Sequence, residues 1–144
     1  MNQTDTIHLL GQCQSGVQMA VSAINEVLPV VEDLQLRQEL TSCKEQHEQL
    51  GQRAQALLTQ LHQPEQSPSP VALGMSWLKT NVKLAVMPGD HSVADLVTDG
   101  LNMGVKSLTK CRNRYTGASE SAKQIAHDLI SSELSLTQSL RQFL

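Results

Sequence analysis

At 144 residues and a formal charge of −3, the chain is sized for one domain. A chain of this length buries roughly 70% of the surface its unfolded form exposes without needing a disulfide or a structural metal. Aromatic residues make up 2% of the chain (Trp77, Tyr115 and Phe143), too few for the stacking platforms that hold single-stranded nucleic acid, so no nucleic-acid partner is expected. No window approaches about 18 uninterrupted apolar residues, and Met1 to Asp5 is not a basic patch leading into an apolar run; no membrane segment or export signal is expected, which makes the cytoplasm the default location.

Four stretches repeat apolar residues at alternating spacings of three and four, the period that keeps one stripe of a helix turned toward its neighbours. The first runs Ile7, Leu10, Gln14, Val17, Val21, Ile24, Leu28, Val31. It predicts a helix over about 5–31, capped by Thr4 or Asp5 and disturbed in its last turn by Pro29. The second runs Leu36, Leu40, Cys43, His47, Leu50, Ala54, Leu57, Leu61 and predicts a helix over about 34–62 with Asp33 as its N-cap. So short a connection forces the two helices antiparallel.

Residues 63–70, rich in Gln, Ser and Pro, read as an extended linker. Ser69 and Pro70 then open a short amphipathic helix over about 71–86, with Met75, Leu78, Val82 and Ala85 on one face. Met87-Pro88-Gly89-Asp90 ends it, and Ser92 with Asp95 resembles a capping box for a third long helix over about 92–116, on the ladder Ala94, Val97, Leu101, Gly104, Leu108, Cys111, Tyr115. Gly100 and Gly104, each costing roughly 1 kcal/mol relative to Ala in a helix interior, mark a close approach to its backbone by a neighbouring helix, the crossover segment or a second copy of the chain. Gly117 is placed as the residue just beyond that helix, and Ser119 or Ser121 caps the last, about 119–143, on Ala122, Ala126, Leu129, Glu133, Leu136, Leu140, Phe143. Lys110, Arg112 and Arg114 read as cations at a helix C-terminus rather than a phosphate-binding patch. Cys13, Cys43 and Cys111, odd in number and without a C-x-x-C pair, read as small buried hydrophobes.

Three strongly polar residues stand on these ladders: Gln14, His47 and Glu133. If the second and third helices are parallel, a rise of about 1.5 Å per residue puts His47 roughly 21 Å and Glu133 roughly 16 Å along a bundle about 40 Å long. Gln14 or Gln18 on the first helix and Asp99 or Asn102 on the third come within about two turns of that level.

With this layer in place, the stretches Ser69-Pro70, Met75-Ser76-Trp77-Leu78, Asp90 to Asp95, Gly100-Leu101-Asn102-Met103-Gly104, Glu133 and Leu140 to Leu144 resemble the ferritin-like superfamily, in particular its small bacterial four-helix bundles. The resemblance implies an all-α, ferritin-like four-helix bundle with a crossover between the second and third long helices, and a mid-bundle metal site. A dinuclear site of that kind takes a Glu from each of two helices and Glu-x-x-His from each of the others. Here the matching pairs are Lys44 with His47 and Glu133 with Leu136, a depleted set. Neither a metal nor another cofactor is therefore expected, and no residue is assigned a catalytic role. Should iron, manganese or zinc bind after all, the candidate ligands are His47, Glu133 and Asp99.

Three functional expectations stand side by side. The first is a structural or protein-interaction bundle without an intact dinuclear site, with a possible homodimer and an unknown protein partner; the Met75, Trp77, Leu78 face is the region for partner contact, with packing onto its own bundle the favoured fate of that face. The second is a metal-binding or oxidoreductase-type protein using His47 and Glu133. The third is a helical adaptor for a peptide or small apolar ligand, which a sizeable apolar pocket in the bundle would favour. No P-loop, dinucleotide fingerprint or nucleophile elbow is present.

Overall fold

A computed structural model describes residues 2–61 and 89–144. Among these residues there are four long helices and no strand: α1 (Gln3–Val27), α2 (Leu34–Gln60), α3 (Asp90–Arg114) and α4 (Glu120–Leu140). Short 3-10 turns follow α1 (Leu28–Val30) and α4 (Arg141–Phe143). The expected helix over 71–86 and the 63–70 linker lie outside the described residues. No described helix is long and apolar enough to cross a membrane.

The capping chemistry explains most of the boundaries. Asp33 caps α2 as expected, its carboxylate accepting from the Leu36 amide, and Ser119 caps α4 by accepting from the Ala122 amide. Pro29 does break the last turn of the first helix, within the turn Leu28–Val30.

Three expectations about helix ends are corrected. The cap of α1 is Asn2, whose side chain accepts from the Asp5 amide at 3.1 Å; the helix opens at Gln3, so Thr4 and Asp5 fall inside its first turn. The Asp5 carboxylate receives the Gly117 amide at 3.0 Å and the Thr6 hydroxyl receives the Ser119 amide at 2.9 Å. The third helix opens at Asp90 after Gly89, whose φ of +88° suits glycine, and Ser92 already lies inside the first turn. Gly117 does not adopt the left-handed conformation of a helix-ending glycine. It is needed for space, since a Cβ there would come within 2.8 Å of Asp5 Oδ2 and 2.9 Å of Asn2 Cβ.

These contacts also fix the helix directions. The Asp90 carboxylate accepts the amides of Glu32 and Asp33, both at 2.9 Å, so α2 and α3 begin at the same end and run parallel. Asn2, Asp5 and Thr6 are tied to Gly117 and Ser119, so α1 begins beside the turn that leads into α4, at the opposite end. Around the bundle α1 packs on α2 and α3, and α4 closes the ring against both.

The core falls into two apolar clusters. One gathers Ile24, Val27, Leu36, Leu40, Val97, Leu101 and Leu140; the other gathers Leu9, Leu10, Leu50, Leu58, Leu108, Ile125 and Leu129. The helical stripe drifts by one position at the end of α2, where Leu58 is fully buried and the ladder residue Leu57 is only half-buried. His47 and Glu133, both buried, sit in sequence between residues of the two clusters: Cys43 and Leu50 on α2, Ile130 and Leu136 on α4.

Candidate functional site

The polar layer contains a pair. His47 Nε2 lies 3.5 Å from Glu133 Oε1, with His47 fully buried and Glu133 2% exposed. The other ring nitrogen, Nδ1, donates to the Cys43 carbonyl one turn earlier at 3.0 Å, which fixes the ring, and Cys43 Sγ stands 3.5 Å from the same atom. Burial pushes the Glu133 carboxyl above the usual carboxylate range, against the opposing pull of His47. Burial alone would lower the pKa of His47, but its hydrogen bonds with Cys43 and Glu133 override that and raise it to about 10. Both shifts run upward, so folding favours a proton on the pair, and with one proton on it the pair is neutral overall.

The other members of the expected layer do not join. Gln14 is buried, but its amide donates to Gln55 Oε1 at 2.6 Å. Because α1 is antiparallel to α2, Gln14 meets Gln55, eight residues or roughly 12 Å beyond His47. Gln18, Asp99 and Asn102 are all exposed. Among the described residues no three His, Cys, Asp or Glu side chains converge in a way that could hold a metal ion. Two ions would need several carboxylates for both coordination and charge neutralisation, so the donor set of His47 and Glu133 does not fit a dinuclear centre. Arg112 and Arg114 do occupy the last turn of α3, where Arg114 stacks over the Tyr115 ring at 5.6 Å.

Gly104 faces the pair directly. A Cβ on it would come within 2.8 Å of Glu133 Oε1 and 3.0 Å of Oε2. The close approach expected at this glycine is therefore real, made by a side chain of α4. At Gly100 no neighbour among the described residues comes within 4 Å of a Cβ; the crossover segment, which the expectation also named, lies outside the described residues.

A groove of about 150 Å³ lies between α1 and α3. Ser15, Gly16 and Ala20 line it from α1, Gly100 and Gly104 from α3, and Glu133 from α4. The rest of the wall is mainly apolar, with Met19, Met103 and Leu108 among others beside the polar Gln12 and Ser107, and Glu133 is the one charged residue among the described lining groups. Among the described residues Glu133 Oε2 is buried without a hydrogen-bond partner. Sequence reasoning found His47, Glu133 and the two glycines but missed the groove. Its signal is small residues four apart on two helices, Gly16 with Ala20 and Gly100 with Gly104, which deprive both facing surfaces of bulk. Comparison of the chain with protein-family models, with curated proteins and with solved structures finds no match.

Proposed function

We propose that this bundle is a binding protein for a small, mainly apolar ligand held in the groove between α1 and α3. The supporting observation is the groove itself: about 150 Å³ of space walled mainly by apolar and small side chains, beside two clusters of buried apolar residues. Of the three expectations drawn from the sequence, this favours the adaptor for a small apolar ligand over a purely structural role. The ferritin-like kinship belongs to the same proposal, as a scaffold without an intact dinuclear site. Its support is the arrangement of four long helices with α2 parallel to α3, together with a donor set reduced to one His and one Glu.

The test is an amide-resolved NMR titration of the full chain with toluene, alongside a Gly100→Leu variant whose new side chain would grow into the groove. Saturable shifts centred on Gly16, Ala20, Gly100 and Gly104, lost in the still-helical variant, are expected. Shifts that never saturate, or that persist unchanged in Gly100→Leu, would remove the groove from consideration. If the spectra instead respond to protein concentration at these same amides, the groove is a face between copies of the chain.

A further inference from the structure

We infer that the ligand of this groove carries one neutral hydrogen-bond donor, a hydroxyl on a compact apolar body such as a small phenol or alcohol, and that Glu133 receives it. The inference rests on the binding role proposed above and adds the chemistry of the ligand. Glu133 is 2% exposed and lines the groove, yet only one of its two oxygens is engaged: Oε1 faces His47, while Oε2 is buried with no partner among the described residues. A buried acceptor left unsatisfied is costly, and a donor arriving from the groove removes that cost. Whichever of Nε2 and Oε1 carries the shared proton, Oε2 remains an acceptor. The site therefore selects for a donor in either state of the pair.

Charge selects further. The one charged residue among the described lining groups is already matched by the His47 imidazole behind it. The remaining titratable groups near the pair are thiols: Cys13 on α1, Cys43 on α2 and Cys111 on α3. An ammonium ligand would bring an uncompensated positive charge into an apolar setting, and a carboxylate would meet Glu133 with like charge and no donor. A hydroxyl satisfies the orphaned oxygen and leaves the net charge unchanged. The size follows from the volume, since an apolar cavity of about 150 Å³ accepts a single benzene-sized body. Gly104 is what permits the meeting, for the first carbon of any side chain there would stand against the carboxylate.

Phenol and toluene have the same shape and differ in OH against CH₃, so their affinity ratio isolates the donor. NMR titrations of the full chain would measure that ratio in the native protein, in Glu133→Met, and in the double variant His47→Leu with Glu133→Met, which avoids leaving one partner of the pair buried alone. The phenol-to-toluene ratio should fall about tenfold in both variants, the worth of one hydrogen bond to a buried carboxylate. Toluene that saturates the groove with an unchanged ratio in the helical variants would overturn the donor inference while leaving the groove reading intact. Failure of both compounds to enter the groove of the native protein would overturn the two together.

Discussion

Replacing Gly104 and Gly100 by Ala, one at a time, should move stability in opposite directions although the chemical change is identical. Both positions lie in the interior of α3, where Ala is favoured over Gly by roughly 1 kcal/mol from backbone entropy and helix propensity. At Gly100 the new methyl meets nothing within 4 Å among the described residues, so that gain should appear almost unopposed. At Gly104 the methyl would stand 2.8 Å from Glu133 Oε1 and 3.0 Å from Oε2, well inside van der Waals contact. The carboxylate can yield by moving toward the groove, but any retreat lengthens the 3.5 Å contact with His47. Breaking a buried charge pair costs about 3–5 kcal/mol, which outweighs the propensity gain and leaves a net loss of roughly 2–4 kcal/mol. With a shift of about 2–4 °C per kcal/mol at this chain length, Gly104→Ala should lower Tm by roughly 4–16 °C and Gly100→Ala should raise it by a few degrees. Thermal melts followed by circular dichroism, with urea midpoints as a second measure, read both values. Introducing Gly104→Ala into a Glu133→Ala background should turn its effect stabilising, since the collision is gone. A Gly104→Ala protein as stable as the native one would refute the close packing of the carboxylate against α3.

Three other outcomes follow from the pair and the thiols. His47 has its pKa raised in the folded state, from 6.5 to about 10, so its contribution is fully present below 6.5 and is lost as pH rises toward 10; burial raises Glu133 as well, and the sign is the same. Urea midpoints should fall across that window, and the part of the fall below the thiol range should shrink in His47→Leu; equal slopes in the two proteins would count against the raised His47 pKa. Burial first, then Cys111 and Glu133, push the Cys13 thiol up to about 12, whereas Cys111 is half-buried, its upward push from burial opposed by Arg114. Iodoacetamide should therefore alkylate Cys111 in the folded protein while Cys13 reacts only on unfolding, an order that peptide mass spectrometry reads and that equal rates would contradict. Finally, Glu133→Met alone leaves the His47 imidazole facing an apolar group, while the double variant with His47→Leu fills the layer with hydrocarbon. The single change should destabilise by about 3–5 kcal/mol and the double should come out neutral or up to about 4 kcal/mol more stable than the native chain; additive losses would deny the coupling.

The parts of this structure that a sequence reveals are those carried by what is present at regular intervals. The alternation of threes and fours named the buried stripe on all four helices because each buried Leu, Val or Ile contributes independently to it, and His47 and Glu133 stood out as polar interruptions of that stripe. Their meeting could be anticipated by counting rise along two helices, since only one dimension had to be known. Gln14 defeated the same count: its level on α1 depends on where α1 starts, and Asn2 and Asp5 fix that by reaching across to Gly117, a contact between residues more than a hundred positions apart. The groove is harder still, because it consists of missing side-chain volume. Gly16 and Ala20 are unremarkable on α1 alone, as are Gly100 and Gly104 on α3, until the bundle sets the two surfaces opposite each other at the level of Glu133. One glycine there is filled by a carboxylate while its neighbour a turn away meets no described residue within 4 Å, a difference that no local property of α3 contains. It arises because α4 presents its single buried acid at one height and nothing of comparable reach at the next. A functional surface built this way is specified jointly by three helices, and single-chain periodicity reports only one helix at a time.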